Sequence, residues 1–344
     1  MDKNTIIEHF RHLTCSNQDE LLKDLGRLKL SGVYSSILQS RGDSLDARRA
    51  ECPYCKGANY HKNGTDKGSR RYKCKDCNRA FTEFTGTWIA GIHKKDKIPE
   101  FMKALEHKLS LIKSSQETGL DPCTIFQWRH KFLSSIENIE EDKPFKGITE
   151  ADETYYLHSQ KGCRCDHRLP RSRGGRPTRG LSKDEAVVFT TTDRAGNVAY
   201  KFASMGRVSA ADITKTIGSR VSERTILCTD GYSSYKSFAQ EQNLEHHILN
   251  ISKGERVRGE YHIQHINSLH SRMNNLLNHN LKGVSTKYLQ KYANWQKIKD
   301  LFKDSTQWIK TVLSLSLQCT DALKIYSDIQ KHYLQLYKPS LLAS

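Results

Sequence analysis

The sequence contains no apolar run that approaches the ~20 residues required to cross a bilayer. Its first residues, Met1-Asp2-Lys3-Asn4, also lack the apolar core of a signal peptide. These two absences argue against a membrane protein and a secreted protein, and they favour an intracellular chain.

Acidic residues are in deficit, because 38 Asp and Glu stand against 55 Lys and Arg and leave a formal net charge of +17. Such an excess predicts a polyanionic partner, most simply nucleic acid. The alternative is a basic protein whose charge only keeps it in solution. With 344 residues and 36% hydrophobic content, the chain is long and apolar enough for two or three folded domains.

Ten cysteines in an intracellular chain favour metal ligation over disulfides. Cys52 and Cys55 form one Cys-x2-Cys pair, and Cys74 and Cys77 form a second pair after 18 intervening residues. This spacing is typical of a structural zinc site in which four thiolates leave no open position on the metal. We therefore predict a zinc ribbon over residues 51–86, whose many Lys and Arg residues make it a candidate DNA contact.

Helical periodicity flanks the predicted ribbon on both sides. Residues 1–50 have apolar positions spaced for amphipathic helices, and residues 87–137 also read as helices. Within the second stretch, residues 114–131 follow a helix, glycine turn, helix pattern that is typical of a helix-turn-helix DNA-binding segment. Its candidate groove-facing residues are Thr124, Gln127, Arg129 and His130. An ordinary helical hairpin is the alternative.

A charged linker over residues 137–146 predicts a domain boundary, and from Gly147 the pattern changes to strands. Residues 161–183 interrupt those strands with a basic insertion that should meet a phosphate backbone. Within it, Cys163, Cys165 and His167 lack a fourth ligand, so we do not predict a second zinc site there. The basic residues of the insertion are Lys161, Arg164, Arg168, Arg171, Arg173, Arg176, Arg179 and Lys183.

The order of elements after Gly147 is three strands, a helix, a strand, a helix, a strand and a helix. This order predicts an α/β fold, with an RNase H-like domain over residues 147–300 and a helical extension over residues 301–344. Asp152 lies on the first predicted strand and Asp230 follows the fourth, while the late helix offers Asn267. Converging at one end of the sheet, these residues could hold two divalent ions. Taken singly, Asp152 reads as a buried salt-bridge acid and Asp230 as the start of a turn.

The chain resembles bacterial insertion-sequence transposases of the DDE superfamily, of the zinc-ribbon type related to eukaryotic Merlin elements. The resemblance runs from the ribbon to about Trp295. Its motifs are the four ribbon cysteines, Glu150-Ala151-Asp152-Glu153, the Arg-Gly-Gly-Arg segment at 173–176, Thr229-Asp230-Gly231-Tyr232, residues 262–274 and residues 282–289.

That resemblance implies a catalytic site of Asp152, Asp230 and Asn267 that uses Mg²⁺ or Mn²⁺, beside a structural Zn²⁺. The superfamily usually has Glu at the third position, and an amide oxygen can also coordinate Mg²⁺. If Asn267 is not the ligand, Glu260 and His270 are the alternatives. The family often has Lys where this chain has Asn274, and Arg272 or Lys282 is the candidate substitute in contacting DNA. The DNA-binding candidates are therefore Arg171, Arg173, Arg176, Arg179, Arg129 and Arg272.

The implied activity is binding of the element's terminal inverted repeats, followed by metal-dependent DNA cleavage and strand transfer. The implied partner is double-stranded DNA, both transposon ends and target, with the protein acting as a homodimer or higher oligomer and without a membrane. The implied location is the cytoplasm, at the nucleoid, or the nucleus of a eukaryotic host. The alternatives are a zinc-ribbon DNA-binding protein that has lost catalysis and an RNase H-like nuclease that cuts without joining.

Overall fold

The computed structural model of the chain describes residues 2–47, 49–140, 143–162, 184–249, 254–255, 257–303, 305, 307–329 and 331. The chain divides into two compact units. The first comprises residues 1–128 and 307–320, and the second comprises residues 129–306 and 321–344. Within the described ranges, no helix is both long enough and apolar enough to span a bilayer.

The first unit begins with two helices, α1 (Lys3–Arg11) and α2 (Cys15–Asp46). The side chain of Asp2 caps α1, and the side chain of Thr14 caps α2. The buried residues of α2 lie in its C-terminal half, where Tyr34 begins the series. Its N-terminal half instead exposes apolar side chains, namely Leu21, Leu22, Leu25 and Leu28.

The ribbon consists of three antiparallel strands, β1 (Tyr60–Asp66), β2 (Ser69–Cys74) and β3 (Ala80–Thr82). Its small core is aromatic, because the rings of Tyr60, Tyr72 and Phe81 lie with centroids 5.4–5.7 Å apart. The hydroxyl of Tyr60 donates to the backbone carbonyl of Leu45 at 3.0 Å, so the ribbon is fastened to the end of α2. The predicted ribbon is confirmed.

Three short helices follow, α3 (Ile98–Glu106), α4 (Leu111–Thr118) and α5 (Pro122–Ser135). Gly119 ends α4 with φ +70°, a left-handed conformation that glycine adopts without steric cost and that turns the chain toward α5. The Asp121 side chain accepts the backbone N–H of Cys123 at 2.8 Å, as a residue preceding a helix does. The first unit also includes α10 (Trp308–Ser316).

The second unit is built on a five-stranded sheet, formed by β4 (Gly147–Leu157), β5 (Glu185–Asp193), β6 (Val198–Met205), β7 (Thr225–Thr229) and β8 (Glu245–Ile248). The strand order is β6-β5-β4-β7-β8. The first three strands pair antiparallel, whereas β4 pairs parallel with β7 and β7 parallel with β8. This mixed topology is that of the RNase H-like fold, so the predicted fold class is confirmed.

Helices cover the sheet on both faces because successive side chains of a strand point to opposite sides. On one face, α6 (Ala210–Ile217) and α7 (Ser233–Glu241) pack over a core that includes Ala151 and Phe189. On the other face, α8 (Gln264–Asn274) packs against β4 and β5.

The helical layer beside α8 is completed by α9 (Leu289–Leu301), which packs against β6. A short hairpin of two strands, β9 (Val257–Arg258) and β10 (Tyr261–His262), leads directly into α8. The short helix α11 (Ala322–Ser327) also belongs to this unit. The alternation along β4 places Glu150 and Asp152 on the α8 side of the sheet.

Candidate active site

The parallel pairing of β4 with β7 places Asp152 beside Asp230. Glu150 lies opposite Cys228 in that register. Asp152 and Asp230 each come two residues later on their own strands, so they stand at the same level and on the same face. Asp230 follows the last residue of β7, and its carboxylate accepts the backbone N–H of Tyr232 at 3.1 Å. The two acids that the sequence placed at one end of the sheet are therefore neighbours in the structure.

The surroundings of Asp152 disfavour the ionised form of its carboxyl group. Burial, together with repulsion from Glu153 and Asp230, raises the pKa of Asp152 to about 8. Such a raised pKa is common where carboxylates share a site that is completed by a cation.

Glu153 adds a half-buried acid on the opposite face of β4. The hydroxyl of Tyr235 donates to its carboxylate, as does the hydroxyl of Tyr155 at 3.3 Å. Burial raises the pKa of Glu153. Because its oxygens are engaged by tyrosines on the α7 side, Glu153 shapes the charge around Asp152 rather than facing α8.

On α8, His270 lies beside Asp152. Its Nδ1 is 3.8 Å from Oδ2 of Asp152, and its side chain is 13% exposed. Its Nε2 is buried and lacks a hydrogen-bond partner among the described residues. Burial lowers the pKa of His270 to about 4, so the imidazole is neutral at physiological pH and has a lone pair to offer.

Asn267 lies one turn before His270 on the same helix, about 60° further around from the apolar stripe. Its side chain is exposed, and its hydrogen bonds within the described chain are made by the backbone, to Ile263 and Ser271. An α-helix turns about 100° per residue. His270 therefore lies beside the buried positions Ile266 and Leu269, whereas Asn267 points about 100° away from Ile266. Glu260, the other alternative, is also exposed.

Helix-face arithmetic alone could have identified His270 from the sequence. A ligand that reaches a sheet from α8 must lie at the edge of the apolar stripe formed by Ile266, Leu269 and Met273. His270 is one turn after Ile266 and meets that requirement. Asn267 does not lie at the edge of the stripe, although the family resemblance indicates its position for the third ligand.

Asp152, Asp230 and His270 carry donor atoms of the kinds that divalent cations bind. Carboxylate oxygens suit hard ions such as Mg²⁺ and Mn²⁺, and a neutral imidazole is a common ligand of transition metals. Among the described residues, these three do not form a group whose ligand atoms all lie within 4.8 Å of one another. A cation between the two acids would relieve their mutual repulsion.

A second donor set lies in the ribbon, where the four predicted cysteines converge. The sulfur atoms of Cys52, Cys55, Cys74 and Cys77 all lie within 4.8 Å of one another. Sγ of Cys52 is 3.8 Å from that of Cys77, and Sγ of Cys55 is 3.6 Å from that of Cys74. Four sulfurs at ~2.3 Å from a tetrahedral Zn²⁺ would be about 3.8 Å apart, so the cluster fits a zinc ribbon.

Comparison with known proteins finds a transposase domain in the second unit. Residues 144–297 match the family described as the ISXO2-like transposase domain. Residues 144–297 are therefore a transposase domain of the DDE superfamily. The chain is also 25% identical over 276 residues to an uncharacterized protein in transposable element ISH50 of Halobacterium salinarum, a match that covers 77% of this chain and 91% of that protein.

Among solved structures, the transposase is similar to a chain in the crystal structure of a pre-cleavage Mos1 transpososome. The match has 11% sequence identity and a TM-score of 0.25, and it covers 66% of this chain and 77% of that chain. That score is too low to establish a shared arrangement of the whole chain. The fold assignment rests instead on the strand order and pairing directions of the five-stranded sheet.

Two of the arginines predicted to contact DNA are engaged inside the transposase. Arg129 is 1% exposed, with its guanidinium 5.1 Å from the ring centroid of Trp295. This burial is the opposite of what a groove contact requires, and it corrects the expectation from the helix-turn-helix pattern. Nε of Arg272 lies 2.6 Å from the buried carboxylate of Asp300, so that side chain fastens α8 to α9.

Burial also removes His130 from the candidate groove contacts. Its ring stacks on Tyr288 with centroids 4.1 Å apart. Gln127 is exposed and Thr124 is half-buried. The remaining predicted contacts, Arg171, Arg173, Arg176 and Arg179, lie outside the described residues, as do Cys163, Cys165 and His167.

Proposed function

We propose that the transposase binds the terminal inverted repeats of its own element and catalyses divalent-metal-dependent DNA cleavage and strand transfer. The observation that supports this most is the register of β4 and β7, which sets Asp152 and Asp230 side by side at the end of the sheet. A DDE-type transposase acts on DNA, and the net charge of +17 suits that polyanionic partner.

We infer that Asp152, Asp230 and His270 hold the catalytic cation, with His270 in place of Asn267. His270 lies beside Asp152 and is neutral, whereas Asn267 is exposed and lies about 60° further around α8 from its apolar stripe. An imidazole ligand favours Mn²⁺ over Mg²⁺ more than an all-oxygen site does, because Mg²⁺ prefers oxygen. We therefore expect higher activity with Mn²⁺.

A divalent cation bound by these residues would polarise the phosphodiester and activate the attacking hydroxyl. The protein's own contribution is to concentrate negative charge where the cation binds and to keep its ligands in place. Asp152 must lose its proton when the cation binds, since its pKa is about 8 in the metal-free protein. Apparent metal affinity should therefore rise as the pH increases toward 8.

The cysteine cluster supports a structural role for Zn²⁺ in the ribbon, as all four ligands are thiolates. We infer that the ribbon and the helices after it bind the element's ends. On the ribbon, Lys67, Arg71 and Lys75 are exposed. Arg70, in contrast, pairs with Asp43 and Asp46 at 2.9 Å.

We also infer that the transposase acts as a homodimer or higher oligomer on DNA. Strand transfer joins two ends of one element to a target, and a single site cannot hold both ends at once. The reaction would take place on the chromosome, at the nucleoid in the cytoplasm of a prokaryotic host. Light scattering of the protein with and without end DNA would measure the assembly, and one protein per two ends would contradict it.

A plasmid assay tests the proposed function directly. The full-length protein is incubated with a supercoiled plasmid that carries the repeats flanking its gene, a target plasmid, and Mg²⁺ or Mn²⁺. We expect cleavage at the repeats and joined products. Cleavage without joining would indicate a nuclease, and binding without cleavage would indicate a DNA-binding protein. Either result would overturn the proposal.

A further inference from the structure

The proposed reaction leaves one buried acid on β4 without a role. Glu150 lies two residues before Asp152, on the same face of the strand, and its side chain is 1% exposed. A buried carboxylate is costly unless it is paired and hydrogen-bonded. The groups that satisfy Glu150 therefore indicate what it does.

The two oxygens of Glu150 have different partners. Oε1 lies 2.8 Å from Nη1 of Arg194 and 2.7 Å from Nδ1 of His265. Oε2 accepts the backbone N–H of Ile266 at 3.1 Å. Nδ1 of His262 is 3.4 Å from Oε1. Glu150 thus gathers an arginine and the beginning of α8 around a single strand residue.

This cluster resembles a metal site at first, since Glu150, His262 and His265 present ligand atoms within 4.8 Å of one another. The position of Arg194 argues against that use. Its Nη1 lies 2.8 Å from the Glu150 carboxylate and 2.5 Å from Nδ1 of His265. The guanidinium therefore takes the place that a metal cation would need, and Glu150 acts through protein contacts.

One of those contacts caps α8 from outside the helix. The first backbone N–H groups of a helix have no partner within it, and Ile263, at the N-cap position, makes no capping bond with its side chain. Glu150 accepts the N–H of Ile266 instead, and it places negative charge at the positive end of the helix dipole.

The distance from Glu150 to Asp152 along β4 is close to the distance from Ile266 to His270 along α8. From Glu150 to Asp152, two residues along a strand span about 6.6 Å. From Ile266 to His270, four residues along a helix span about 6 Å. When Ile266 is fastened to Glu150, His270 therefore comes opposite Asp152. A slip of α8 by one turn would move His270 by about 5.4 Å and break that pairing.

We propose that Glu150 is a positioning residue, which fixes α8 on β4 at the register where His270 meets Asp152. This inference rests on the proposed function, because it takes His270 to be a ligand of the catalytic cation. Arg194 supports Glu150 as its counter-charge, and it is itself held by a second bond, from Nη2 to the carbonyl of Glu260 at 3.1 Å.

The test is a Mn²⁺ titration of the full-length, zinc-loaded protein by electron paramagnetic resonance, with Glu150→Ala and Glu150→Gln beside the wild type. Removing a residue that orients a metal ligand weakens metal binding by about 10–100-fold. We expect Glu150→Ala to raise the half-saturating Mn²⁺ concentration by at least about 10-fold. Glu150→Gln should have a smaller effect, because its amide oxygen can still accept the Ile266 N–H.

Glu185→Gln is the matched control, as Glu185 is also 1% exposed and lies on the neighbouring strand, opposite Leu157. It can lower the unfolding temperature, but it should leave the Mn²⁺ titration unchanged. Wild-type Mn²⁺ binding by both folded Glu150 variants, or equal shifts in the Glu150 and Glu185 variants, would overturn the inference.

The failure of the positioning role can be distinguished from failure of the proposed function. If Asp152→Ala and His270→Ala also bind Mn²⁺ as the wild type does, the assignment of the active site is wrong. If those two variants lose Mn²⁺ and the Glu150 variants do not, the positioning role alone is wrong. End-DNA binding measured on the same samples verifies that each variant remains folded.

Discussion

The thiolate site in the ribbon and the carboxylate site on the sheet differ in how far apart in the chain their ligands lie. All four ribbon ligands come from two short turns, and their spacing alone defines the site. The proposed carboxylate site would instead take Asp152 and Asp230 from two strands and His270 from a helix, so only the tertiary fold could bring them together. Local spacing therefore predicts the first site completely and the second only in part.

The two sites also differ in their need for a cation. Four thiolates around Zn²⁺ form a closed structural site with no position left for substrate. At the sheet, half-buried acids repel one another, and Nε2 of His270 is unpartnered among the described residues. We therefore expect metal loss to unfold the ribbon locally, and to leave the sheet folded but inactive.

The largest expected effect comes from removing either acid. Asp152→Ala or Asp230→Ala should reduce cleavage at the element's ends by at least about 10³-fold, because metal catalysis contributes several kcal/mol. Gel-based cleavage and fluorescence anisotropy would measure activity and end binding separately. Asp212→Asn is the control, as Asp212 belongs to the capping box of α6. Loss of end binding in step with cleavage would show that the acids are structural.

A smaller effect should separate the two residues of α8. His270→Ala should reduce cleavage by about 100-fold, since it removes a ligand, while Asn267→Ala should stay within about 3-fold of the wild type. The rates are compared at several Mn²⁺ concentrations. If Asn267→Ala is the impaired variant and His270→Ala is active, the original sequence prediction is right and our assignment is wrong.

Breaking the thiolate site should leave the catalytic metal unaffected. Cys74→Ser should abolish stoichiometric zinc binding, measured by atomic absorption, and weaken end binding by about 10-fold or more as the ribbon unfolds. Mn²⁺ binding at the sheet should remain. Cys123→Ser is the control, as Cys123 is exposed and lies outside the cluster. Full zinc occupancy in Cys74→Ser would contradict the assignment of the ribbon.

The smallest effect is on stability and depends on pH. The pKa of Asp152 is raised from 3.8 to about 8, so the unfolded chain loses this proton at lower pH than the folded protein. Stability without Mg²⁺ or Mn²⁺ should therefore fall as the pH rises from about 4 to 8. Asp152→Asn removes that loss and should raise the unfolding temperature at pH 7 by a few °C, roughly.

The same variant should gain little at pH 4, where Asp152 is protonated in the folded protein. Thermal unfolding followed by fluorescence at both pH values measures the difference, with zinc retained in the ribbon. A gain in unfolding temperature that does not depend on pH, or a lower unfolding temperature at pH 7, would show that the pKa of Asp152 is not raised in the folded protein.

The sequence predicts features that depend on local patterns better than features that depend on contacts between residues distant in the chain. The order of strands and helices predicts the RNase H-like sheet, with Asp152 in the middle of the first strand and Asp230 directly after the fourth. Arg129 and His130 were assigned to a groove because a local helix-turn-helix pattern does not reveal what packs against its second helix. Their burial against Trp295 and Tyr288 depends on contacts distant in sequence.

The third ligand shows the same limit on a single helix. Asn267 is the position on the late helix that the family resemblance indicates, and that prediction stays open. The apolar stripe of α8 supports our alternative proposal, His270. Glu150 could not be assigned from the sequence at all, because its partners Arg194 and His265 come from elements far along the chain.

The central claim is that Asp152, Asp230 and His270 hold the catalytic cation. Mn²⁺ binding to the full-length, zinc-loaded protein, followed by electron paramagnetic resonance, tests it most directly. We predict that Mn²⁺ binding is lost in Asp152→Ala and Asp230→Ala, weakened in His270→Ala and unchanged in Asn267→Ala. Equal Mn²⁺ binding by the wild type and all four variants would contradict the claim.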